Sequence, residues 1–86
     1  MEKQLIPMAQ VLFVLRGLCA QGETGAFFVA TESGHWAEIV LEKGDIIGLR
    51  FRNRKGLPAA QALAQVTQAK YSFSSVNDVS MYRHTL

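Results

Sequence analysis

From Pro7 to Ala20, apolar residues recur every three or four positions, at Met8, Leu12, Leu15 and then Leu18 or Cys19. That period predicts a helix, opened by Pro7 at a first-turn position and stopped at Gly22. Thr24-Gly25 reads as the turn into the next element. Phe13 and Val14 lie opposite the main stripe, so the helix is apolar on two sides, and a helix of that kind is buried on two sides. In a chain this short the second covering is expected from a partner subunit, with Phe13 and Val14 as the contact residues.

The period then changes to that of strands. Three runs rich in Phe, Val, Ile and Trp follow, over Ala26–Thr31, His35–Glu42 and Ile46–Asn53, divided by Ser33-Gly34 and by Lys43-Gly44-Asp45. Taking Lys43–Asp45 as a three-residue loop sets Leu41 opposite Ile47, Ile39 opposite Leu49 and Ala37 opposite Phe51, which makes one face wholly apolar. The other face then pairs Glu38 with Arg50 and Trp36 with Arg52. Such cross-strand neighbours contribute roughly 0.2–1 kcal/mol each. A two-residue loop would set the same apolar side chains against Gly48 and Arg50, and a one-residue slip sends a core row to solvent.

Beyond Gly56, Pro58 opens a second predicted helix, Pro58–Gln68, with Ala59, Ala62, Leu63 and Val66 facing inward. Tyr71–Ser75 alternates and reads as a fourth strand, and 76–86 shows no period and reads as irregular. The expected fold is therefore α+β. A three-stranded antiparallel meander is extended by a C-terminal strand, with two helices packed mainly on one face. The opposite face, carrying Trp36, Glu38, Val40, Arg50 and Arg52, is left available for contact.

Composition narrows the class. The chain has 86 residues, 49% hydrophobic and 19% charged, which fits one packed domain and excludes a disordered chain. The formal net charge is only +2, but it is unevenly spread. Residues 1–44 balance to −2 and residues 45–86 to +4, with most of the excess in Arg50, Arg52, Arg54 and Lys55. One cysteine excludes an internal disulfide framework and points to a reducing, cytoplasmic setting. VLFVLRGLC is broken by Arg16, and no apolar run approaches the roughly 20 residues that span a bilayer, so neither export nor membrane insertion is expected.

Candidate chemistry is sparse. His35 and Glu38 would point to opposite sides of one strand, His84 is remote near the C-terminus, and no third ligand type clusters with them. Cys19 sits on the apolar helix stripe, where free cysteine behaves as a small hydrophobe. No Gly-rich turn with a following lysine cradles a phosphate. No catalytic residue, metal site or cofactor is expected. Arg50, Arg52, Arg54 and Lys55 offer a nucleic-acid reading, but alternation turns Phe51 inward and leaves Trp36 as one stacking platform, where single-strand binders use several.

The order of these features resembles a known family. A leucine-rich helix leads to Thr24-Gly25 and a strand. A second strand closes with Leu41-Glu42-Lys43-Gly44-Asp45-Ile46, Gly56 precedes an alanine-rich helix containing Ala62, and the series ends in Tyr71-Ser72-Phe73. Over about residues 5–74 this resembles the PATAN domain, named for the N-terminal region of a cyanobacterial heterocyst-pattern regulator. The resemblance implies a bacterial signalling adaptor without chemistry of its own, docking to proteins in two-component output, motility or type IV pilus control. A protein partner or self-association as a homo-oligomer is the expectation.

Overall fold

The computed structural model describes residues 4–76. In chain order its elements are β1 (Ile6–Pro7), α1 (Met8–Ala20), β2 (Gly25–Thr31), β3 (Trp36–Glu42), β4 (Asp45–Phe51), β5 (Arg54–Lys55), α2 (Leu57–Leu63) and β6 (Gln68–Ser75). The fold is α+β, and the strands form a single antiparallel sheet in the order β1-β6-β2-β3-β4-β5.

The sheet has six strands where the pattern gave four. The two additions are dipeptides, too short to carry a period of their own. β1 is defined by pairing, Ile6 with Ala69 and Pro7 with Gln68, and it delivers the chain into α1, whose first N–H donates to the Thr67 carbonyl at 2.9 Å. β5 exists because Arg52 adopts a positive φ of 60° and reverses the chain, so that Arg54 pairs with Phe51 and Lys55 with Arg50. β4 therefore stops at Phe51 and does not run on to Asn53.

α2 is also shorter than the expected Pro58–Gln68. Its end tightens into short-range bonds, Gln65 N–H to Ala62 O and Val66 N–H to Leu63 O. Thr67 and Gln68 are then free to turn into β6, which starts three residues earlier than the Tyr71 alternation suggested. Of the 76–86 segment, only Val76 lies within the described residues; its N–H donates to the Thr24 carbonyl at 3.0 Å.

The β3–β4 register holds as expected at Ala37–Phe51, Glu38–Arg50 and Ile39–Leu49. Nearer the turn it shifts. Leu41 stands opposite Ile46, and Ile47 is the extra residue of a bulge. The loop is thus the two-residue turn Lys43-Gly44, with φ of 52° and 87°, and the bulge absorbs the slip that such a turn would otherwise impose. Gly44 is required twice over. Besides its positive φ, a Cβ there would lie 2.3 Å from the Cys19 carbonyl oxygen, because the turn is pressed against the end of α1.

Both helices pack on the face formed by Phe27, Val29, Ala37, Ile39, Leu41 and Phe51, with Val11 and Leu15 entering from α1 and Ala59 and Leu63 from α2. Phe27 and Leu41 are fully buried, each worth about 1.5–3 kcal/mol of apolar transfer. The Tyr71 ring stacks on Phe27 with centroids 5.5 Å apart, tying β6 to the same core. Cys19 packs at the margin of this cluster.

Candidate functional site

Side chains on alternate positions of β3 go to opposite faces. Ala37, Ile39 and Leu41 join the helical core, so Trp36, Glu38 and Val40 go to the second face. The ladder places Phe28 of β2 and Arg50 of β4 on either side of Glu38. Trp36, the first residue of its strand, is 63% exposed. Together Phe28, Trp36, Glu38, Arg50 and Arg52 line a shallow hollow of about 370 Å³. This brings four of the five expected face residues together, although Arg52 reaches the hollow from a turn and not from a ladder position opposite Trp36.

The fifth, Val40, is corrected. It is fully buried, as is its ladder partner Ala26. Its burial is shared by Ala26 beside it, so that end of the face is closed to solvent while the Trp36 end is open. The usable plate is the Trp36–Arg52 end of the face.

The basic run is also redistributed. Partners in a ladder share a side, so Lys55 joins Arg50 on the Trp36 face, while Arg54 follows Phe51 to the other. The three arginines thus do not form one row, because the Arg52-Asn53 turn reverses the alternation. Phe51 is buried as expected. Phe28 was not singled out in the sequence, yet its position next to Phe27 was the available signal: adjacent strand residues cannot both enter one core.

His35 packs edge-on against Phe51, with ring centroids 6.3 Å apart, on the helical side and away from Glu38. It lies just before β3, where the pattern begins the strand with it, and it is half-buried. Its Nδ1 is 2.9 Å from Ser33 Oγ, which is 3.0 Å from Thr31 Oγ1, and Thr31 Oγ1 accepts the His35 N–H at 3.1 Å. These bonds close the β2–β3 turn on itself. Beside them the Glu32 carboxylate accepts from Thr67 Oγ1, which with lesser bonds from the Thr67 and Gln68 backbone holds its pKa below the ordinary carboxylate value. Among the described residues no three His, Cys, Asp or Glu side chains converge on a common point. No helix among them is long and apolar enough to cross a membrane.

On α1, Phe13 is 77% exposed, but Val14 is half-buried against the core. Of the two, only Phe13 is open to solvent. One helical position, 100° of rotation, returns Val14 to the packed side.

Compared with protein-family models, with curated proteins and with solved structures, the chain matches none.

Proposed function

We propose that this chain is a non-enzymatic docking module of bacterial signalling. It acts in the cytoplasm through contact with another protein, in the manner implied by its resemblance to the PATAN domain. Two-component output, motility and type IV pilus control are the settings that the resemblance suggests. One observation carries the reading: a tryptophan 63% exposed beside two arginines, on the sheet face turned away from both helices. Trp and Arg are the residue types that dominate interface energetics, and here Phe28 and Glu38 lie between and around them in the same hollow. A plate with one carboxylate and two guanidinium groups fits a partner surface that presents carboxylates around a flat apolar side chain.

The test is the double variant Trp36→Ala, Arg52→Ala. Both side chains are exposed, so the fold and melting temperature are expected to hold within the range of ordinary surface substitutions, about ±0.5 kcal/mol. Capture of the cognate signalling protein should be lost. Undiminished capture by a folded double variant places the docking surface elsewhere.

A second reading has its own support, since Arg50 and Arg52 line the hollow with Trp36 and Lys55 pairs with Arg50 on the same face. Binding of labelled single-stranded DNA or RNA that weakens steeply between two salt concentrations would favour a nucleic-acid module. Absence of binding at low salt removes that reading.

A further inference from the structure

The helical side of the molecule has a gap. α1 leans on β1 and β6, and α2 on β4 and β5, so the two helices sit toward opposite edges of the sheet. Between them runs a groove of about 470 Å³. Leu12 and Leu15 of α1 form one wall, Ala60 and Leu63 of α2 the other, and Ile39 and Leu49 the floor. Every lining side chain is aliphatic or a thioether.

The surroundings of the groove are apolar as well. Ile46, which lines its open end, is 53% exposed, and Leu57, heading the α2 stripe that continues through Ala60 and Ala64, is 70% exposed. Helical spacing points Phe13 directly away from the sheet, on the ridge next to Ala9 and Leu12. Among the thirteen residues of α1 the single charge is Arg16. A helix so poor in charge on its outward side is not finished as a solvent-facing surface.

We infer that a second copy of this chain covers this face, the two related by a two-fold axis, with Phe13 of each seated in the groove of the other. Three observations select that occupant. A two-fold interface must be self-complementary, and this one surface carries both a protruding ring and an apolar recess. A small ligand is fixed by a few placed polar groups, and no lining side chain offers one. A membrane-lying helix carries a Lys/Arg-rich polar face, and α1 has only Arg16.

Size agrees. A standard interface takes roughly 800 Å² from each partner, about one seventh of this chain's 5714 Å². α1 is about 20 Å long, and with the groove and α2 beside it the helical layer supplies a face of that order. The arrangement leaves both Trp36 plates outward on opposite sides of the dimer. It does not depend on what those plates bind.

Sedimentation and light scattering on the full chain, over a wide range of concentrations, are expected to show a monomer–dimer equilibrium and a melting temperature that rises with concentration. Phe13→Asp should weaken dimerisation by about 30-fold or more, the scale of a buried anchor, with the helical circular dichroism unchanged. Ala60→Arg, in the opposite wall of the recess, should do the same. Mixing the two variants should restore a one-to-one heterodimer, because the new carboxylate of one meets the new guanidinium of the other and the second contact stays native. Trp36→Ala should dimerise as the parent does.

A parent chain that stays monomeric at all concentrations overturns the inference. So does a dimer indifferent to both Phe13→Asp and Ala60→Arg, or a folded variant pair that fails to recombine. A monomer that takes up a fatty acid or an apolar dye in the groove would overturn it in favour of a ligand site. Should Phe13→Asp not fold, Ala60→Arg and Phe13→Gln carry the same comparison.

Discussion

Gly44→Ala is expected to cost far more than the same change at Gly34, although the two glycines have nearly the same backbone, with φ of 87° and 85°. The left-handed conformation by itself penalises a Cβ by about 1–2 kcal/mol at either site. At Gly34 nothing lies within 4 Å of the added methyl, so the strain is the whole effect. At Gly44 the methyl would meet the Cys19 carbonyl oxygen at 2.3 Å and Gly22 Cα at 3.1 Å, both backbone atoms that cannot swing aside. The turn must then lift off the end of α1. That strains or breaks Gly44 N–H to Glu23 O and Lys43 N–H to Thr24 Oγ1, both 2.9 Å. Two bonds at about 0.5–1.5 kcal/mol each add about 1–3 kcal/mol to the Gly44 variant alone. In a chain this small, 1 kcal/mol moves the melting temperature by about 4–8 °C. Gly44→Ala should therefore melt at least about 5 °C below Gly34→Ala, with a lower urea midpoint and an unchanged slope. Equal losses at the two positions would refute the close approach of the turn to α1, and with it the placement of Ile46 at the mouth of the groove.

Other expectations follow from single contacts. Leu41→Ala empties a fully buried site in the middle of the core and should cost about 2–5 kcal/mol in denaturant unfolding, against almost nothing for Trp36→Ala at the start of the same strand. Glu32 has a lowered pKa in the folded chain, chiefly from the Thr67 hydroxyl, so its contribution is present above the ordinary carboxylate value of about 4.5 and is lost as pH falls through the lowered value. Thr67→Val should flatten that acid-side decline in stability without erasing it, because the backbone bonds from Thr67 and Gln68 remain; an unchanged pH profile would discount the hydroxyl.

Much of the fold follows from local pattern. The spacing of Met8 and Leu15 on α1 and the alternation of Ala37, Ile39 and Leu41 with Trp36 and Glu38 on β3 each reflect one element exposed to a core on one side. Leu12, by contrast, stays exposed, and Val11 takes its place in the core. Burial of the partner face then leaves little choice of register, and three of the five pairs placed in the β3–β4 hairpin stand where the pattern sets them; Trp36–Arg52 is lost because β4 ends at Phe51. Leu41–Ile47 fails at the turn. Lys43-Gly44 adopts the tight two-residue geometry favoured by the twist of a hairpin, and the bulge at Ile47 keeps the rest in register. A bulge is a compromise between turn and core, and neither is visible in the alternation alone.

Local pattern is enough to give the α+β class, the helix apolar on two sides, and a strand with Trp36 and Glu38 facing away from Ile39 and Leu41. Which of those residues solvent can reach is set by the assembled fold. Val40 shares the face of Trp36 yet is buried, Val14 adjoins Phe13 yet packs inward, and Arg54 leaves the row of Arg50 because the Arg52-Asn53 turn folds it back. The groove between α1 and α2 is likewise absent from any local signal, since it arises from where two helices settle on a sheet wider than both. Periodicity fixes the direction of a side chain relative to its own backbone. Access depends on what other segments bring over it, and that is a sum over distant contacts.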